Sequence, residues 1–420
     1  MRATSTDYRR PYRPRALAWL NRALDAGESL GFGRADLRAD SLLGAARERT
    51  GLRELGESSL PERLRRLVDA IEAEAELHPL GRWMIRERLI GTLGNRLRME
   101  EALRRRPAIL DERIAAPVFI VGLQRTGTTV LHRMLAADPG RRFLPSWEAV
   151  SIAPAAGSPW RRLLIGDQRM ALARFAEAAV RYMAPDFFAI HPVEASAPEE
   201  DVLLFDYGLW STVPEAMMMV PSFSRWLEEQ DDGPSYADYR RVLAYLQWQR
   251  PGGPWVLKTP HHMEHLETLL ATFPDARIVQ THRDPATVLA SFCSMMAHSR
   301  GVFSDRVDPG DVGRHWLGKA QRMVACTMRV RGAASDRGRF LDVRYGDLVA
   351  DPVREIRRVY DWLGAPLLPA AEAAMERWRL GNPQYKHGRH RYRLEDFGLD
   401  REEVSRAFFA YRERFGIPAS

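Results

Sequence analysis

The stretch Pro117-Val-Phe-Ile-Val-Gly-Leu-Gln-Arg-Thr-Gly-Thr-Thr-Val-Leu-His-Arg-Met-Leu135 decides the fold. Val118 to Val121 is a short apolar run rich in β-branched residues, Gly122 and Gly127 bracket a polar turn, and Val130, Leu131, Met134 and Leu135 recur at helical spacing. This pattern predicts a buried strand, a loop and a helix N-terminus. Such a terminus offers unpaired N–H groups and the positive end of a dipole, to which Thr126, Thr128 and Thr129 add hydroxyls and Arg125 a guanidinium. An anionic phosphate or sulfate is the expected ligand. The alternative is a plain strand-to-helix turn whose threonines only cap the helix. The glycine spacing is that of the nucleotide-binding G-x-x-x-x-G-K-[ST] loop, but Thr128 stands where its lysine would be, which argues against a nucleoside triphosphate.

Further along the chain the same grammar repeats. Trp255 to Leu257 runs into Lys258-Thr-Pro-His-His-Met-Glu-His265 and a helix through Leu270; Ala276 to Thr281 runs into His282-Arg-Asp-Pro285 and a helix from about Ala286. Phe340 to Val343 leads to Arg344-Tyr-Gly-Asp-Leu348 and a helix from about Pro352 to Leu363. Alternating strands and helices imply an α/β fold with a mainly parallel sheet flanked by helices, with ligands at the carboxyl ends of the strands. Residues 1–110 show helical patterning and are expected to form a helical N-terminal region; 111–365 form the α/β core, of which 143–253, poor in strands, is a helical cap covering a site; 366–420 form a C-terminal segment. Gly310 to Gly313 and Gly332 to Gly338 are expected to be loops.

Composition narrows the function. The chain has 420 residues and 62 basic against 55 acidic side chains, a formal charge of +7, which suits an anionic ligand more than it argues for nucleic acid. Lysine occurs only at Lys258, Lys319 and Lys386, so one of three falls at a strand end with His261 and His262. Cys293 and Cys326 are too few for a disulfide framework. No run approaches the roughly 18 apolar residues of a membrane span, and no apolar segment follows the N-terminal arginines; a cytoplasmic protein is expected.

Four strand ends thus carry Arg125 with the threonines, Lys258 with the histidines, Arg283 with Ser291 eight residues later, and Tyr345 with Asp347. This arrangement resembles the sulfotransferases that use 3′-phosphoadenosine 5′-phosphosulfate (PAPS), most closely their bacterial branch, over roughly Ala116 to Pro366 plus Tyr385 to Leu399. The resemblance implies a P-loop, nucleoside-kinase-like fold and in-line sulfuryl transfer to a hydroxyl or amine, releasing 3′-phosphoadenosine 5′-phosphate (PAP). It places the 5′-phosphosulfate on Gln124, Arg125, Thr126, Gly127, Thr128 and Thr129, with Arg125 in place of a lysine, and the 3′-phosphate on Arg283 and Ser291. It further implies that Lys386, Arg389 and Arg391 close over the 3′-phosphate. Val130 replaces the tryptophan that stacks on adenine in the animal enzymes, which leaves Tyr345 as a candidate platform or a packed strand-end residue.

Arg125 and Lys258 are the candidates for stabilising the leaving group, and His261 the favoured general base, with His262 or one of Glu194, Glu199 and Glu200 as alternatives. No metal set is expected; the His261–His265 pair alone lacks the remaining ligands. Met217 to Met219, Phe187, Phe188, Trp210 and Trp226 line an apolar pocket for a small or lipid-like acceptor or form ordinary core. The rival functions are a nucleotide-dependent kinase and a non-catalytic PAPS- or PAP-binding protein; a homodimer is compatible with the sequence.

Overall fold

The computed structural model describes residues 7–154, 167–333, 337–382 and 392–418. Lys386, Arg389 and Arg391 lie outside the described residues. The chain begins with four helices, α1 (Arg15–Ser29), α2 (Ala39–Thr50), α3 (Leu60–Glu74) and α4 (Pro79–Arg105). Strand β1 (Val118–Val121) and helix α5 (Thr128–Leu135) follow, then β2 (Arg142–Phe143), α6 (Ser146–Val150), α7 (Gln168–Met183), α8 (Pro185–Ile190) and, after several short turns of helix, α9 (Gly233–Gln249). The second half is β3 (Trp255–Lys258), α10 (Leu266–Thr272), β4 (Arg277–His282), α11 (Pro285–Arg300), α12 (Pro309–Ala333), β5 (Phe340–Arg344), α13 (Tyr345–Ala350) and α14 (Pro352–Leu363), followed by the helices Pro369–Gly381, Arg401–Ala407 and Phe409–Phe415.

The five strands pair in the order β2-β3-β1-β4-β5, all parallel. β1 is central, with Phe119 opposite both Leu257 and Ile278. Side chains alternate across the sheet: Phe119 and Val121 join the core under α9, α11 and α12, while Val118 and Ile120 join a second core against α5 and α14. That double burial is why the strands read as unbroken apolar runs.

Helix ends follow local chemistry. Asp284 caps α11 by accepting from the Ala286 N–H, with Pro285 in the first turn; Asp351 caps α14 through the Arg354 N–H, and Gly364 closes it at φ 65°. Gly310 to Gly313 are not a loop but the first turn of α12. The reason is contact: a Cβ on Gly313 would lie 2.1 Å from the Phe397 carbonyl oxygen, so the glycine admits the C-terminal segment against the helix.

The N-terminal helices form a third core with residues 209–223 of the cap, including Leu64, Leu67, Leu89, Leu209, Met218 and Phe223. Met217, Met218 and Trp226 belong to this packing: Arg88 donates to the Met217 sulfur at 3.3 Å, and Arg66 lies 4.9 Å above the Trp226 ring. Trp210 likewise sits under Arg63 at 4.0 Å. Met217, Met218 and Trp226 are core, while Trp210 also lines a small cavity. No helix among the described residues is long and apolar enough to cross a membrane.

Candidate active site

The loop after β1 is shaped by its neighbours. Gly122 has φ 145°, and a Cβ there would meet the Thr281 hydroxyl at 2.3 Å and the Thr281 carbonyl oxygen at 2.7 Å. Gly127 has φ 94°, and a Cβ there would lie 2.9 Å from Leu348. Only glycine fits either place without a shift. Arg125 also holds a left-handed backbone, φ 66°, a conformation that costs a non-glycine residue about 1–3 kcal/mol and is kept only where its surroundings enforce it. Here they do: the Thr126 hydroxyl bonds the Leu123 carbonyl at 2.5 Å and the Thr281 hydroxyl at 2.6 Å, and Arg283 donates to the Arg125 carbonyl at 3.0 Å. Gly127 occupies the N-cap of α5, and no side chain caps the helix. The threonines are therefore not spent on capping, and the first-turn N–H groups remain for a ligand. Thr128 is buried, Thr129 exposed and Gln124 half-buried at the same turn.

Arg125, Arg283 and Ser291 come together as one group. Arg125 Nε donates to Ser291 Oγ at 3.1 Å and its Nη1 to the Ile190 carbonyl at 3.2 Å, so the loop after β1 is tied to α11 and to the end of α8. The Arg283 guanidinium lies 4.0 Å above the Tyr345 ring. Tyr345 opens α13 and packs beside Gly127, so one of its faces is covered by Arg283. It aligns that arginine as much as it offers a platform to a base.

Lys258 ends β3, almost fully buried, with its ammonium 2.5 Å from Glu200 Oε1. Glu200 reaches it because the next residue is anchored. The Asp201 N–H bonds the Lys258 carbonyl at 3.4 Å, and its carboxylate accepts from His262 Nε2 at 2.8 Å and from the Tyr239 hydroxyl. Burial raises the Asp201 carboxyl, but the His262 ring and the Tyr239 hydroxyl beside it outweigh that and hold it below the usual carboxylate range. His262 also meets the Tyr236 hydroxyl at 2.8 Å, so both of its nitrogens are engaged. Of the other acids, Glu194 is bound to Arg133 of α5 at 2.8 Å and Glu199 faces His191 at 3.9 Å. The chain read alone singles out Lys258 but gives no sign of Asp201, whose role depends on tyrosines of α9.

His261 is not brought to the loop. The turn Pro260–Met263 directs its ring into a small cavity among Phe205, His265, Glu215, Glu264 and Lys319, which none of Gln124 to Thr129, Lys258 or Arg283 lines. Burial, then the neighbouring His265, His262 and Lys319, push its pKa well below the ordinary imidazole value. The ring thus lies in a different cavity from the loop after β1 and from Lys258.

Comparisons with known proteins identify the family. The model of the sulfotransferase family matches residues 117–370. Sulfotransferase STF9 from Mycobacterium avium is 30% identical and superimposes with a TM-score of 0.81, covering 91% of this chain and 98% of that one. Sulfotransferase STF1 from Mycobacterium tuberculosis is 33% identical, with a TM-score of 0.77, 90% of this chain and 99% of that one. The omega-hydroxy-beta-dihydromenaquinone-9 sulfotransferase Stf3 of Mycobacterium bovis is 25% identical over 263 residues, 59% of this chain and 62% of that protein, so the match spans less than two thirds of that relative. A glycine loop without a lysine, a Lys258 strand end and an Arg283–Ser291 pair, in this order on a five-stranded parallel sheet, accompany a family match over most of the chain: it belongs to the sulfotransferase family.

Proposed function

We propose that the protein transfers a sulfuryl group from PAPS to a hydroxyl of a lipid-like acceptor, with Glu200 as the base. The observation that carries this reading is the meeting of Arg125, Arg283 and Ser291 beside the uncapped start of α5, which sets cationic and hydroxyl donors on both sides of one loop. A donor with a phosphosulfate at one end and a 3′-phosphate at the other carries several negative charges for these groups to meet. The residues fit it: the start of α5 has no side-chain cap, and Arg125 is held in a left-handed backbone conformation in the loop just before it. When bound, PAPS supplies an activated sulfuryl group whose S–O bond to the phosphate breaks as the acceptor oxygen attacks in line.

The protein's part is positioning and charge. Glu200 takes the proton from the acceptor hydroxyl, and Lys258 turns its ammonium from Glu200 toward the departing phosphate oxygen, where negative charge accumulates. Arg125 and the α5 N-terminus hold the phosphosulfate end, while Arg283 and Ser291 hold the 3′-phosphate. His262 and Asp201 position Glu200 and Lys258 without touching the reacting atoms. The acceptor class is inferred from the relative named for a menaquinone derivative. Incubation with radiolabelled PAPS and a lipid extract tests the proposal: label should enter a lipid with the wild type and not with Glu200→Gln, and no transfer to any lipid or soluble hydroxyl would overturn it.

A further inference from the structure

We propose that α7 is a membrane-docking helix that seats the enzyme on an anionic lipid surface; the inference rests on the lipid-like acceptor proposed above. α7 turns an apolar face outward. Leu172 (53% exposed), Phe175 (72%) and Tyr182 (54%) stand at i, i+3 and i+10, with Ala179 between them, and no charged residue shares that face. The buried face, with Arg169 and Ala173, is a different one. An exposed phenylalanine alone is unremarked on a protein surface; a stripe three turns long is not.

The flank of the stripe is basic. Arg174 is exposed, and Arg181, also exposed, is shared between Glu177 at 2.9 Å and the Phe188 ring at 4.6 Å. An apolar face edged by arginines matches the boundary between headgroups and acyl chains of an anionic membrane. A second copy packed antiparallel on the stripe would instead set these arginines against themselves. α1 repeats the design nearby. Trp19 is 67% exposed, with the exposed Arg15 and Arg22 at its side, and Tyr12, just before α1, lines one cleft with Met183 at the end of α7.

α7 is also bound to the chemistry. It continues into α8, whose last carbonyl, Ile190, accepts from Arg125 at 3.2 Å, and Glu177 of α7 accepts from the Ala195 N–H at 3.0 Å, in the loop that carries Glu200. Glu177 stands on the face of α7 opposite the stripe, so a membrane under α7 is separated from the loop that carries Glu200 by the thickness of one helix.

Sedimentation with vesicles tests this, using phosphatidylcholine alone and phosphatidylcholine with phosphatidylglycerol. The wild type should bind the anionic vesicles about tenfold more than the neutral ones, less as salt rises. Leu172→Asp combined with Phe175→Asp should lose that binding while keeping its circular dichroism and its calorimetric affinity for PAP. Absence of wild-type vesicle binding, equal binding by the variant, or a wild-type dimer that the variant dissolves would each overturn the inference. A protein that binds vesicles through Leu172 and Phe175 but does not bind PAP would support the docking surface and contradict the proposed donor instead.

Discussion

Glu200 and Lys258, 58 residues apart in the chain, face each other at 2.5 Å at the carboxyl end of β3. The pair joins the cap to the sheet. Glu200 is part-exposed while Lys258 is buried, so an acceptor can approach the acid from the open side.

Replacement of Glu200 by Gln should lower kcat by about 100-fold or more, the usual worth of a positioned base, while PAP affinity stays at the wild-type level. His261→Asn should leave the rate unchanged. Steady-state rates and calorimetry on both variants check this, and the reverse pattern would return the role to His261.

Arg283→Ala removes the donor to the Arg125 carbonyl as well as a charge for the 3′-phosphate. PAP affinity should fall by about tenfold or more, in line with a hydrogen bond to a charged group. Ser291→Ala frees Arg125 Nε and should weaken PAP binding less than Arg283→Ala. Isothermal titration of the two variants measures the order.

Gly122→Ala tests the loop as structure. Its Cβ would stand 2.3 Å from the Thr281 hydroxyl, on a backbone at φ 145°. A loss of about 2 kcal/mol or more is expected in urea unfolding, together with loss of PAP binding.

Lys319 lies buried with Glu228 at 2.8 Å, Glu264 at 3.3 Å and Glu215 at 3.4 Å. Burial raises the Glu215 carboxyl, but Lys319 and His315 outweigh it and bring its pKa to about 2; burial likewise lowers Lys319, and the three carboxylates raise it above its ordinary value. The folded Glu215 pKa is depressed, so its contribution is full above the unfolded value near 4.5 and is lost as pH falls toward 2. The Lys319 contribution is full below its unfolded value near 10.5 and is lost only as pH rises through its higher folded one. Lys319→Met should cost about 3–5 kcal/mol at neutral pH by removing the buried cation that three carboxylates share. Its stability should recover in part as pH falls through the carboxylate range. Urea denaturation at several pH values reads both effects.

Much of the fold was legible because its strands are short and buried on both faces. Val118 to Val121 and Trp255 to Leu257 could hardly be anything else, and α14 has the bounds read from Pro352 and Leu363. β2 was not legible, since two residues carry no period. The glycines of α12 misled because Gly313 serves a contact with Phe397, 84 positions on, and not a turn. At the site, position after a strand was legible and side-chain direction was not. His261 follows Lys258 closely, yet the turn at Pro260 points it away, and Glu200 arrives from the cap through Asp201, His262 and Tyr239. Met217 and Met218 were ambiguous by composition, and packing against Arg88 and the N-terminal helices decides for core, while Met219 accepts from Arg300 at 3.2 Å.

The most direct test of the account is calorimetric titration of the wild-type protein with PAP. One molecule should bind per chain at micromolar concentration or tighter, and Arg283→Ala should weaken it. A folded protein that gives no heat with PAP at such concentrations would contradict the central claim.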